Sequence, residues 1–181
     1  MKIETARLLI RDLEKEDERP FVAMASDGSL NDIGFDRDCS GWMANWIKEA
    51  REITAADNPN TEYLAYTIVL KDEKVVVGSV GCSYYEDFQE IGITYFIGAE
   101  YRNKGYAAEA VKAYVDYFFN HYVVSRMIAT IREENILSWK VVEKVGFNLV
   151  EKRLYKDLND EQIKLYRFYE IRRKNLKLIF Q

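Results

Sequence analysis

The sequence predicts an α/β (α+β) fold, a mixed and mostly antiparallel sheet with helices on both faces. Three observations lead there. Runs rich in β-branched and aromatic residues, joined by short polar turns, occupy residues 63–97. From Lys104 onward the apolar residues recur at steps of three and four instead of two. After that change strand and helix patterns alternate, which lays helices against a sheet. The 181 residues, 48% hydrophobic and 31% charged, suit one domain spanning residues 1–181. A chain of this size buries roughly 70% of the surface its unfolded form exposes, so it needs no disulfide or metal staple.

In chain order, Ala6 to Leu13 (ARLLIRDL) reads as a strand, and Asp17 to Ala25 as a short helix whose first turn tolerates Pro20. Ser40 is placed to cap a second helix in which Trp42, Trp46 and Ile47 share a face. Tyr63 to Leu70 and Val75 to Tyr84 are strands, the polar Lys71-Asp72-Glu73-Lys74 between them makes a hairpin, and Ile91 to Ile97 is a third strand. Between Lys104 and Asn120, the residues Ala107, Val111, Tyr114, Val115 and Phe118 form one buried stripe on a helix of about four turns. Met127 to Ile131 is a buried strand, Ile136 to Lys144 an amphipathic helix ended by Gly146, Phe147 to Tyr155 a strand, and Leu165 to Ile171 the closing strand.

Composition excludes several classes. The two cysteines, Cys39 and Cys82, build no disulfide framework and share no metal-ligand spacing, so a reducing, cytoplasmic setting is expected. Met1 to Ile10 lacks the apolar stretch of a secretory signal, and no window nears the ~20 apolar residues that span a bilayer. The single histidine, His121, rules out a His-rich metal centre and reads as structural or solvated at a helix end. No metal is expected, nor a nucleic-acid or membrane partner. A net charge of −4 favours a cationic partner, and amines are cations at neutral pH. Monomer and homodimer both remain open.

The chemistry concentrates between Phe96 and Ala108. A strand runs into Gly98-Ala99-Glu100-Tyr101-Arg102-Asn103-Lys104-Gly105-Tyr106-Ala107, and a helix follows. Glycine lets backbone approach a ligand closely, and the free N–H groups of a first helical turn make an anion site that the helix dipole favours. A pyrophosphate is the natural guest. Arg102 and Lys104 add positive charge, and Ala107 keeps the turn uncrowded. The junction is neither a Walker loop nor a dinucleotide fingerprint, and alone it also fits an ordinary turn.

Arg102-x-x-Gly105-x-Ala107 resembles the Arg/Gln-x-x-Gly-x-Gly/Ala motif of the GNAT superfamily of N-acetyltransferases. Asn135-x-x-Ser138, followed by Glu143-Lys144-Val145-Gly146-Phe147, is similar to a segment of the subgroup containing the ribosomal-protein N-terminal acetyltransferases. So is the opening Glu4-Thr5-Ala6-Arg7-Leu8-Leu9-Ile10-Arg11, with Glu16-Asp17 leading the first helix. The resemblance covers nearly the whole chain in the right order. It implies acetyl-CoA as co-substrate and a splayed central strand pair, the strand ending at Tyr95 to Ile97 parting from Met127 to Ile131. Main chain of Phe96 and Ile97 would then hold the pantetheine arm, the N–H groups of Asn103, Lys104, Gly105, Tyr106 and Ala107 the pyrophosphate with Arg102 beside them, and Asn135 with Ser138 the thiol end.

Acyl transfer needs a neutral amine, a polarised carbonyl and a hydrogen-bond or proton donor for the departing thiolate. Neutralising a lysine amine at pH 7 costs about 4 kcal/mol, an α-amine only about 1. The resemblance makes Glu90, in Gln89-Glu90-Ile91-Gly92, the expected base; Ser138, whose hydroxyl can donate to the leaving sulfur, is the expected acid. Many relatives place a tyrosine acid seven residues after the motif asparagine, where this chain has Val142, and an aspartate where it has Leu165. Asp27, Asp32, Asp36, Asp38, Glu86 and Asp87 offer an acidic rim for the acceptor amine, a protein N-terminus or a small molecule, with Trp42, Trp46, Tyr84 and Tyr85 as candidate walls. The alternatives are a catalytically silent acyl-CoA-binding sensor, or an interaction domain whose Gly105 loop is only a turn.

Overall fold

Leu64, Tyr66, Ile68 and Leu70 are buried in one hydrophobic cluster while Ala65, between the first two, belongs to another. That is the two-residue period of a strand covered on both faces. The computed structural model describes residues 1–60, 62–157 and 160–173; residues 174–181, counted in the expected domain, lie outside them. Among the described residues eight strands form one sheet: β1 (Lys2–Glu4), β2 (Leu8–Asp12), β3 (Tyr63–Leu70), β4 (Val75–Tyr85), β5 (Glu90–Ile97), β6 (Arg126–Arg132), β7 (Asn148–Tyr155) and β8 (Lys164–Arg172). Their spatial order is β1-β2-β3-β4-β5-β6-β8-β7, and β5 with β6 is the parallel pair in an otherwise antiparallel ladder. The expected mixed, mostly antiparallel sheet is met.

Helices α1 (Glu18–Ala25) and α2 (Met43–Ala55) cover one face, where Phe21, Met24, Met43 and Ile47 pack with Ala65 and Phe96. On the other face α3 (Tyr106–His121) buries Ala110, Val111, Tyr114, Val115 and Phe118 against the aliphatic rows of β2 to β6, and α4 (Ile136–Val145) adds Val142. The closing strand β8 inserts between β6 and β7, burying Tyr166, Phe168 and Tyr169. β7 is left at the edge with Glu151, Lys152 and Arg153 exposed, the charged surface that protects an unpaired strand. Among the described residues no helix is long and apolar enough to cross a membrane.

Three details depart from the sequence reading. β1, only three residues long, carries no pattern to announce it. Ser40 caps nothing: Cys39–Gly41 form a 3-10 turn, and α2 starts at Met43 with Trp42 at its N-cap. Trp42 and Trp46 pack against Phe35 at 5.6 and 5.0 Å between ring centroids, while Met43, Ile47, Ala50 and Thr54 make the buried stripe. The third helix starts at Tyr106, not Lys104, because Asn103 (φ 60°) and Gly105 (φ 81°) hold left-handed conformations that no helix can pass through.

The feature that positions a site is the break between β5 and β6. They share one register pair, Gly92 with Ile128, and then part, whereas β5 pairs with β4 along its whole length. Among the described residues, the edge of β5 past Gly92 has no strand neighbour.

Candidate active site

A cleft of about 1190 Å³ occupies this wedge and runs on past the sheet. Its inner walls are Tyr95 and Phe96 of β5, Ala129 to Arg132 of β6, and Asn135 and Ser138 at the start of α4. Its outer part is lined by Asp32, Phe35, Trp46, Tyr63, Tyr84 to Asp87, Tyr155 to Asp157 and Tyr166.

The loop at one end has the local geometry that its composition predicts. Gly98 donates to the Val77 carbonyl (3.0 Å) and Tyr101 to Gly98 (2.9 Å), closing a 3-10 turn at Ala99–Tyr101. Asn103 and Gly105 then turn the chain left-handed into α3. Among the described residues no acceptor engages the amides of Asn103, Lys104, Gly105, Tyr106 or Ala107, so five donors gather at the positive end of a sixteen-residue helix. A second cavity of about 470 Å³ beside Gly105 is lined by Arg7, Lys104, Lys112 and Lys144 with Glu109, a positive surround for an anion.

Two arginines brace this loop. Arg102 donates from Nε to the Ile97 carbonyl (3.0 Å) and reaches Ser29 O and Oγ (both 3.2 Å), so its guanidinium ties the loop to the segment after α1. Arg7 donates to the Lys104 carbonyl (2.9 Å), stacks over the Tyr106 ring at 4.6 Å, and pairs with Glu109 (2.7 Å). Glu109 also accepts from the Thr5 hydroxyl (2.6 Å) and the Arg7 amide (2.9 Å). Burial would raise the pKa of this carboxyl, but Thr5 and Arg7 together hold it below its ordinary value. Arg7→Ala should therefore raise KM for acetyl-CoA about tenfold, the worth of one or two charge-assisted hydrogen bonds, with kcat changed far less. Steady-state kinetics with acetyl-CoA varied checks this, and an unchanged KM would remove Arg7 from loop support.

At the other end of the wedge, Asn135 caps α4 by accepting from the Ser138 amide (3.1 Å), which leaves the side-chain NH2 for the cleft. Tyr95, across the wedge, lies 2.8 Å from both Ser138 O and Ser138 Oγ. α4 is pinned to the sheet by Tyr169, which donates to Glu143 (2.8 Å), and by Arg167, which grips Glu133 (2.8 and 2.7 Å) and covers the Trp139 ring at 4.1 Å. Val142 is fully buried in the core and presents nothing to the cleft.

The structure therefore brings Phe96, Asn135 and Ser138 together in one cleft, with the Asn103–Ala107 amides at the loop that leads from it. Ile97 is at the wedge with its carbonyl already accepting from Arg102. Glu90 stands apart. Its carboxylate is bonded to Arg126, which also reaches Glu170 (3.2 Å), at the end of β5 remote from the loop, and Glu90 is not among the cleft-lining residues. Of the acidic rim, Asp32, Glu86 and Asp87 line the cleft; Asp27 accepts from the Ser29 amide (2.7 Å) and Asp36 from the Asp38 amide (2.9 Å). His121 pairs with Asp57 (2.7 Å) and stacks on Tyr117 at 5.0 Å, far from the cleft lining.

Arg132 escaped the sequence reading. From the end of β6 it pairs with Asp32, which lines the cleft, and with the buried Asp160 (2.6 Å), with its Nε on the Tyr166 hydroxyl (3.2 Å). Tyr95 escaped it too. The available signals were a lone cation closing a buried strand, and a polar-tipped aromatic on the same strand face as Ile91, Ile93 and Ile97.

Against known proteins, residues 7–148 match the model of the acetyltransferase (GNAT) domain. The chain is 32% identical over 152 residues to the uncharacterised N-acetyltransferase YnaD of Bacillus subtilis (strain 168), covering 81% of this chain and 82% of that one. Among solved structures, a GNAT-family acetyltransferase from Bacillus anthracis superposes with a TM-score of 0.78 at 24% identity, over 95% of this chain and 98% of that one. The ribosomal-protein-S5-alanine acetyltransferase from Vibrio fischeri superposes with a TM-score of 0.75 at 19% identity, over 95% and 96%.

Proposed function

Because the chain belongs to the GNAT acetyltransferase family and is an acetyl-CoA-dependent N-acetyltransferase, we propose that it acetylates a primary amine by direct attack on the thioester, with a peptide α-amine preferred over a small-molecule amine. The observations that carry this reading are the wedge between β5 and β6, with Asn135 and Ser138 in its wall and Asp32, Glu86 and Asp87 in its outer part, and the open amides of the loop that follows β5. The likeness in fold to an acetyltransferase of a ribosomal-protein alanine agrees with it.

In this reading the amides of Asn103 to Ala107 take the pyrophosphate, the open edge of β5 at Phe96 and Ile97 takes the pantetheine arm, and Asn135 and Ser138 meet the thiol end. The amine lone pair forms the C–N bond as the C–S bond breaks, and the electron pair stays on sulfur. Ser138 donates a hydrogen bond to that sulfur and keeps its proton. The proton lost by nitrogen leaves through cleft water toward Glu86, Asp87 and Asp32. Glu90, held by Arg126, is assigned to fastening the β4–β5 hairpin to β6.

The test is thiol release over a panel of ribosomal-protein amino-terminal peptides, amino acids, polyamines and antibiotic amines. Peptides should give the highest kcat/KM, rising with pH to a plateau near about 8 as the α-amine deprotonates, in wild type and in Glu90→Gln alike. A rise that continues toward about pH 10 would mean a lysine-like acceptor instead. Silence toward every amine despite tight acetyl-CoA binding would leave a binding module, and an altered profile in Glu90→Gln would make Glu90 the base.

A further inference from the structure

Residues 91, 93, 95 and 97 of β5 share a face, and of these Tyr95 alone has a polar tip. That tip contacts two atoms of one residue, the Ser138 carbonyl and the Ser138 hydroxyl, each at 2.8 Å. A phenol has one proton, and a carbonyl can only accept. If the phenol gives its proton to the carbonyl, the second contact is met only when serine donates to the phenol oxygen, and the serine proton then points at Tyr95. If the phenol proton is instead shared between the carbonyl and Oγ, both contacts are met and the serine proton is released to face the cleft. Burial raises the phenol pKa well above its ordinary value, so Tyr95 keeps its proton and acts through hydrogen bonding alone.

We propose that Tyr95 is the positioning residue for Ser138: by donating to Oγ it turns the serine proton toward the sulfur that departs in the wedge between β5 and β6. Without the phenol, the hydroxyl of a serine in a first helical turn bonds back to a carbonyl of the preceding turn, and its proton is lost to the cleft. No bond to Tyr95 is made or broken, and its proton is the same before and after turnover. This rests on the reading of Ser138 as donor to the leaving sulfur.

The experiment is a double-mutant cycle with Tyr95→Phe, Ser138→Ala and the double variant, measuring kcat and KM for acetyl-CoA by thiol release. Acetyl-CoA-induced thermal stabilisation of each variant confirms that the cofactor site is intact. Each single variant should lose about tenfold in kcat, the scale of one hydrogen bond to developing charge, with KM for acetyl-CoA nearly unchanged. The double variant should be no slower than Ser138→Ala, because Tyr95 then has nothing to orient. A second tenfold loss on adding Tyr95→Phe to Ser138→Ala would show that Tyr95 acts by another route and overturn the proposal. Full activity of Tyr95→Phe would do the same while leaving Ser138 in place. Full activity of Ser138→Ala would sink the donor reading itself, and the proposal with it.

Discussion

Gly105→Glu should abolish acetyl-CoA binding in a protein that still folds. Gly105 sits at φ 81°, where a side chain costs about 1–2 kcal/mol, and a Cβ there would lie 3.3 Å from an Arg7 nitrogen at the end of a flexible side chain. Neither effect reaches the core, since Gly105 is exposed. The carboxylate, by contrast, enters the ring of free amides from Asn103 to Ala107 and competes there with the diphosphate for the same donors. At acetyl-CoA one hundred times its Kd, wild type should gain about 2.7 kcal/mol, or roughly 5 to 10 °C in Tm. The variant should gain nothing measurable while melting within a few degrees of apo wild type. Unchanged affinity by calorimetry would place the cofactor elsewhere.

The largest effect on stability is expected from Asp17→Asn. Asp17 is 1% exposed, yet it carries a charge. Arg11 grips both its oxygens (2.8 and 2.7 Å), the Thr67 hydroxyl donates at 2.6 Å, and the Glu14 amide at 2.9 Å. These contacts join β2, the start of α1 and the middle of β3. Removing the charge leaves Arg11 facing a neutral amide in a dry site, which should cost about 3–5 kcal/mol and lower Tm by roughly 10 °C. The pH dependence follows from the same contacts. Burial pushes the Asp17 pKa up, but Arg11, Thr67 and the Glu14 amide hold it below the ordinary carboxylate value. A lowered folded pKa stabilises fully above the unfolded value of about 3.9 and is lost as pH falls through the folded one. Urea unfolding should therefore show a constant gap between wild type and Asp17→Asn from pH 7 to about 5, closing below about pH 4. A gap that narrows instead toward neutral pH would mean that the carboxyl is not ionised in the folded protein.

Asp17 also marks where sequence reading stops. As one of two acidic residues ahead of a helix it was legible as part of a familial opening, and its burial was not. Two carboxylates beside a helix look alike until a strand fifty residues later brings Thr67 to one of them. Glu90 illustrates the same limit. Its place just before the expected strand Ile91 to Ile97 suggested a base facing substrate, but a carboxylate's chemistry depends on the cation nearest to it, and Arg126 arrives from thirty-six residues away. Arg102, read as added positive charge for a phosphate, serves the Ile97 carbonyl and Ser29.

What the sequence determined by itself is what neighbours along the chain decide. The two-residue and three-to-four-residue apolar periods set strands and helices, the left-handed turn at Gly105 opened the first amides of α3, and Asn135 capped α4 three residues before Ser138. Each depends on contacts within a few residues, which any conformation of the chain samples. Only the tertiary structure decided that β5 and β6 part after one register pair, that Tyr95 meets Ser138, that Arg7, held by Glu109, braces the loop at Lys104, and that Arg132 pairs with both Asp32 and Asp160. Those pairings join residues far apart in the chain, and their partners are selected by the packing of whole elements, a sum over many weak contacts that no local pattern records.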